Sequence, residues 1–223
     1  GYRQSLPIDD PQSQIDVDLP DPQPAGRDLL VRVHAVSVNP LDAKVRKRQA
    51  PKDGSVAVLG WDAAGVVVAT GPDATLFKAG DEVWYAGSIA RQGCNAELHV
   101  VDERIVGRKP ASLGFADAAA LPLTTITAWE LLFDRFGVRP GKEPTGDSLL
   151  IVGAAGGVGS IMTQLASRLT ALTVIGTANR PESAAWVRTL GAHHVIDHAK
   201  PLSQELKRLG LPPVTHEIGR AHV

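Results

Sequence analysis

The sequence predicts an α/β protein in two parts, a turn-rich β region followed by a doubly wound parallel sheet. Three observations predict it. Up to about Pro110 the apolar residues come in short β-branched runs, "LLVRVHAVSV" and "GVVVAT", broken by "DLPDPQPAGRD", "PDATLFKAGDE" and "GSIARQG". From Phe115 strand-like and helix-like segments alternate with short links. The stretch "SLLIVGAAGGVGSIMTQLA", Ser148 to Ala166, runs from an apolar strand through a glycine cluster into a helix.

In the second part the order is helix "FADAAALP", helix "TTITAWELLFDRF", strand "SLLIVG", helix "GSIMTQLASRL", strand "LTVIGTA", helix "PESAAWVRTLG" and short strand "HVID". Short crossovers of this kind place consecutive strands parallel in one sheet. Pro140 to Gly146, with two prolines and two glycines, reads as a surface link feeding the first of these strands. There is no internal repeat. The expected boundaries are 1–115 for the first domain and 116–216 for the second.

Composition narrows the function classes. The 223 residues are 43% hydrophobic, enough for one sizeable core or two modest ones. A formal net charge of −1 gives no field to hold polyanions, and no basic run is interleaved with aromatics, so nucleic acid is not an expected partner. The single cysteine, Cys94, excludes an internal disulfide and a cysteine-built zinc lobe. No signal peptide or membrane-length apolar run is visible, so no membrane partner and a cytoplasmic location are expected.

Both ends read as cut. Gly1-Tyr2-Arg3 begins without an initiator methionine, apparently inside the first strand. At the other end, one codon choice for Glu217 to Val223 is GAG ATC GGA AGA GCA CAC GTC. From its second base this string matches the start of a common sequencing adapter, whose next in-frame triplet is a stop. Residues 217–223 are therefore expected to be read-through rather than protein sequence, which the underlying nucleotide read decides.

The glycine cluster carries the chemistry. Gly153, Gly156 and Gly159 follow a strand and open a helix, so the backbone from Gly153 through Gly156, Gly157, Val158 and Gly159 faces a space that favours a pyrophosphate. A P-loop would need Lys followed by Ser or Thr after the last glycine; Ser160 and Ile161 exclude it. At the end of the next strand, where an NAD site places Asp or Glu, the chain reads Gly176-Thr177-Ala178-Asn179-Arg180. Arg180 is the expected partner of a 2′-phosphate, with Asn179 and Thr177 as neutral donors, which selects NADPH. The competing reading is a solvated arginine at a helix start.

The combination "VSVNPLDAKVR", "VLGWDAAGVV", "FKAGDEVW", "AALPLTTITAWELL", "GAAGGVG" and "LGAHHVID" resembles the medium-chain dehydrogenase/reductase superfamily, in the quinone oxidoreductase, enone reductase and zinc-type alcohol dehydrogenase-like groups. The resemblance implies an N-terminal GroES-like β domain followed by a Rossmann domain, with the site between them. It also implies that the sheet is incomplete here, because members continue beyond the fourth Rossmann strand and return to the first domain; the fragment itself is then expected to be inactive, and the parent a homodimer. In the zinc-dependent branch a Cys stands where this chain has Asn39, and a His-Glu pair where it has Trp61-Asp62. The third ligand would fall near Pro122 to Thr125, which offers none. No metal is expected.

By the same resemblance Asn39 lies beside the nicotinamide or the substrate carbonyl; capping a turn before Pro40 explains it as well. Lys44 is placed to stabilise an enolate or relay a proton, against the plain reading of a solvated lysine. Trp61 and Asp62 shape the vacated metal pocket, or Trp61 is simply core. Thr127 matches a position near the nicotinamide end, and His198 one that touches the 2′-phosphate. The implied activity is NADPH-dependent reduction of a small α,β-unsaturated carbonyl or quinone without zinc, because such acceptors delocalise the charge that hydride brings. A zinc-independent alcohol or aldehyde dehydrogenase, and an NADPH-binding protein without turnover, stay open.

Overall fold

The computed structural model describes residues 1–52, 54–211 and 213–219. Packing divides the chain into two compact units, 1–123 and 124–223, with the break inside a helix between Leu123 and Thr124; the sequence-based boundary stood at 115.

The first unit is built on a five-stranded sheet in the order β4-β1-β2-β3-β5. Its strands are β1 (Asp28–Val36), β2 (Ala63–Thr70), β3 (Glu82–Tyr85), β4 (Leu98–Asp102) and β5 (Gly107–Arg108), and every pairing is antiparallel. Alternation along β1 turns Leu29 and Val31 inward, against Ala63, Val67, Val83, Tyr85, Cys94 and Val101. The register of β1 against β2 shifts at Leu30/Val31 and again between Val33 and Ala35, which bends the ribbon. Two features differ from expectation. Tyr2 makes only an isolated bridge to Ala57, so the N-terminus is not in a strand. A helix, α1 (Pro40–Arg48), interrupts the β region. Its start signals are local: Asn39 at the N-cap, Pro40 in the first turn, and the Asp42 carboxylate accepting the Asn39 N–H at 2.8 Å.

Helices α2 (Phe115–Ala119) and α3 (Pro122–Trp129) follow, and α3 runs on into a π-helical turn, Glu130–Arg135. The second unit holds a parallel four-stranded sheet in the order β8-β7-β6-β9, with strands β6 (Ser148–Ile151), β7 (Thr173–Thr177), β8 (His194–Ile196) and β9 (His216–Ile218). β6 is buried at all four positions, as a central parallel strand must be. Helices α4 (Gly157–Leu169), α5 (Pro181–Thr189) and α6 (Leu202–Leu209) supply the crossovers. Met162, Ala166 and Val187 pack with Leu149, Ile151 and Val174 in one cluster, while Leu150, Ile175 and Ile196 pack against Leu202 and Leu206. The strand order, with β6 central and the fourth strand beside it, is the first part of a doubly wound sheet. β9 includes Glu217 and Ile218, the first two residues of the segment that the codon argument assigns to read-through; Arg220 to Val223 lie outside the described residues.

Candidate functional site

In the second unit the glycine turn joins β6 to α4. Gly153 has φ +75°, a left-handed conformation that L side chains rarely adopt. Its N–H donates to Thr177 Oγ1 at 2.9 Å, and Ala154 N–H donates to the Thr177 carbonyl at 3.2 Å, so β7 braces the turn. Gly156 is the N-cap of α4, and Ser160 N–H donates back to its carbonyl at 2.8 Å. The amides of Gly157, Val158 and Gly159 are therefore the first-turn donors that no intrahelical carbonyl can reach. Gly156 and Gly157 are exposed and Val158 half-buried. A Cβ on Gly159 would stand 2.7 Å from Ala154 Cα and from the Gly153 carbonyl oxygen, so this glycine permits the helix to sit on the turn. Exposed amides, a helix N-terminus and a turn with no side chain in the way fit the pyrophosphate of a dinucleotide.

The far end of that site is split by the structure. Asn179 and Arg180 are exposed at the end of β7, and Arg180 is the N-cap of α5. Thr177 is fully buried, and its hydroxyl meets both Gly153 N–H and His198 Nδ1, the latter at 3.0 Å. A buried hydroxyl with two partners braces the turn, which is a different task from the phosphate donor expected of it. His198 is itself exposed, tied to Thr177 through one ring nitrogen. Thr177→Val is expected to leave the Gly153 amide without its acceptor and cost about 1–3 kcal/mol in urea unfolding. Unchanged stability would show that the brace is dispensable. Thr127 is half-buried on α3.

In the first unit two carboxylates are buried side by side around Asn39. Asp62 is 0% exposed. Its Oδ1 accepts the Leu123 N–H at 3.0 Å and its Oδ2 accepts Asn39 Nδ2–H at 3.0 Å. Asp42 Oδ2 takes the Asn39 N–H, and its Oδ1 takes the Gly60 N–H, both at 2.8 Å. Burial pushes the Asp62 carboxyl up to about 6; the bonds from Leu123 and Asn39 oppose that rise and the nearby Asp42 charge adds to it. The second Asn39 amide hydrogen is directed at the Ser37 carbonyl at 3.4 Å, so both are engaged. The structure thus brings Asn39 and Asp62 into direct contact. Lys44 lies apart from them on the exposed face of α1.

Trp61 is 3% exposed and packs with Tyr2, Val45 and Leu59. Among the described residues no three His, Cys, Asp or Glu side chains converge as a metal ligand set, and no helix is long and apolar enough to cross a membrane. Sequence reasoning missed Asp42, although its position three residues after Asn39 was a visible helix-start signal.

Comparison with known proteins places these features. Residues 25–127 match the alcohol dehydrogenase GroES-like domain. A zinc-type alcohol dehydrogenase-like protein of Staphylococcus aureus is 46% identical over 199 residues, covering 87% of this chain and 58% of the relative. The crystal structure of a putative zinc-dependent alcohol dehydrogenase from Rhizobium etli superposes with a TM-score of 0.90 at 57% identity, over 97% of this chain and 63% of that one. The Escherichia coli quinone oxidoreductase complexed with NADPH gives a TM-score of 0.74 at 30% identity, over 87% of this chain and 57% of that one. The chain therefore spans about three fifths of the length of these proteins.

Proposed function

Because the chain belongs to the medium-chain dehydrogenase/reductase superfamily, we propose that the whole protein is an NADPH-dependent oxidoreductase that delivers hydride to an α,β-unsaturated carbonyl or quinone without zinc. The observation that carries this reading is the donor set of the first unit. Asn39, Trp61 and Asp62 stand where the zinc-dependent branch is expected to hold its ligands, and an amide, an indole and one carboxylate already bonded at both oxygens make a poor zinc site. The names of the Staphylococcus aureus and Rhizobium etli proteins favour a second reading, an alcohol dehydrogenase. Such substrates need stronger polarisation of the carbonyl than this donor set offers.

NADPH, when bound, supplies the hydride. The amides of Gly157, Val158 and Gly159 and the exposed backbone at Gly156 receive the pyrophosphate, Arg180 and Asn179 read the 2′-phosphate, and His198 flanks it. Thr127 serves the nicotinamide end. Asp62 holds the Asn39 amide in one orientation, and its raised carboxyl keeps a proton at mildly acidic pH. We assign the supply of a proton from solvent to Lys44, exposed on α1. The NADPH complex of the Escherichia coli quinone oxidoreductase supports the choice of cofactor. We place the whole protein in the cytoplasm as a homodimer.

The test is consumption of NADPH by the whole protein with a panel of small enones, quinones, aldehydes and ketones. Acceptor-dependent oxidation confined to enones and quinones supports the reading. Turnover of simple aldehydes or ketones alone favours the dehydrogenase, and cofactor affinity without turnover favours a binding protein. Arg180→Ala is expected to weaken NADPH binding at least tenfold, the loss of about 1.5–3 kcal/mol for a charge-assisted contact, while NADH binding changes little. Equal losses for both cofactors would remove Arg180 from the phosphate site.

A further inference from the structure

We infer that the indole N–H of Trp61 is the hydrogen-bond donor for the oxygen of a small, largely apolar carbonyl ligand. The inference rests on the reductase reading, since it names the group that holds the acceptor of that reaction.

Trp61 Nε1 is buried and has no hydrogen-bond partner among the described residues. An indole nitrogen can only donate, and the fixed ring cannot turn the N–H toward another acceptor as a hydroxyl can. Buried donors are paired in the great majority of native structures, so an unpaired one calls for a ligand or a water. The other two buried orphan atoms among the described residues are of different kinds. Arg27 Nε belongs to a guanidinium already bound to Glu103 and Thr75, and Ser148 Oγ is a rotatable hydroxyl on β6.

The surroundings give the ligand its shape. Trp61 forms part of the wall of an open cavity of about 370 Å³, together with Tyr2, Val45, Leu59 and Ile89. That volume suits a small molecule, and the aliphatic and aromatic walls suit an apolar body. Tyr2, Arg91 and Gln92 of the same wall are already committed. Tyr2 donates its hydroxyl to the Gln49 carbonyl at 2.7 Å, and Arg91 is bound bidentately to Asp28. Gln92 accepts from Val58 N–H and donates to the Val56 carbonyl.

Gly87 lies close against the edge of the indole. A Cβ there would stand 3.3 Å from Trp61 Cδ1, the carbon bonded to Nε1, and 3.8 Å from His99 Cε1. The nearby amide that resemblance puts forward as the carbonyl donor, Asn39, has both hydrogens directed to Asp62 and Ser37. One acceptor oxygen on an apolar frame is the ligand that satisfies this site, and a simple enone has that form.

The experiment follows the Trp61 indole resonance in ¹⁵N-labelled whole protein with NADP⁺ bound, during titration with cyclohex-2-enone and, separately, cyclohexene. Trp61→Phe assigns the signal by deleting it. The expected result is a saturable downfield movement with the enone only, and roughly tenfold weaker enone binding in Trp61→Phe. If that variant does not fold, Gly87→Ala serves instead, since its added methyl crowds the indole and should abolish the enone-dependent shift. A resonance unmoved by saturating enone, or moved equally by cyclohexene, overturns the inference. Enone turnover with an unmoved resonance rejects the Trp61 role and leaves the reductase reading intact; a moved resonance without turnover does the reverse.

Discussion

Gly159→Val is expected to lower the stability of the second unit by about 3 kcal/mol and to remove dinucleotide binding. Even a bare Cβ at this position would lie 2.7 Å from Ala154 Cα and from the Gly153 carbonyl oxygen. Both are backbone atoms of the turn, so no side chain can swing aside. Helix α4 would have to lift from β6, and its first-turn amides would leave the place we propose for the pyrophosphate. Urea unfolding together with NADPH and NADH titrations checks this. Both cofactors should lose affinity alike, which sets Gly159 apart from Arg180. A variant that kept native stability and bound either cofactor normally would show that the turn accommodates a side chain, against the contact geometry.

The second large effect is a pH dependence of stability from Asp62. Its carboxyl is pushed from 3.8 up to about 6, chiefly by burial. The folded state therefore keeps the proton at pH values where the unfolded chain has released it. This residue's contribution is most favourable below about pH 4, declines as pH rises between the two values, and is fully lost above about pH 6. The span corresponds to about 3 kcal/mol. Asp62→Asn cannot titrate, so the difference between wild type and variant should move by about that amount between pH 4 and 7.5. The amide also turns a donor toward the Leu123 or Asn39 N–H, which shifts the variant's stability equally at all pH values. The slope is therefore the diagnostic quantity, and parallel curves would mean that Asp62 titrates normally.

Much of the second unit was legible in the sequence because its signals are local. The apolar run of β6, the glycines that open α4 and the strand "LTVIGTA" each report their own backbone, and right-handed crossovers leave little choice of topology. The helix α1 shows the opposite failure. Asn39, Pro40 and Asp42 carry its start signal, yet the surrounding β-branched runs drew the eye to strands, and Val45 and Arg46 are its only buried residues besides Asp42. A helix with so narrow an apolar face leaves little periodicity to read.

The sequence by itself determined the order of strands and helices from α2 to β8, the glycine turn, and the absence of a carboxylate at the end of β7. Tertiary structure decided what each of those residues is free to do. Thr177 looked like a phosphate donor until the turn came back over it and took its hydroxyl. Asn39 looked like a free amide until Asp62, distant in the chain, was buried against it. The physical reason is that residue type states how many hydrogen bonds a side chain can make, whereas only the fold determines which are already made and which, like that of Trp61, are left over.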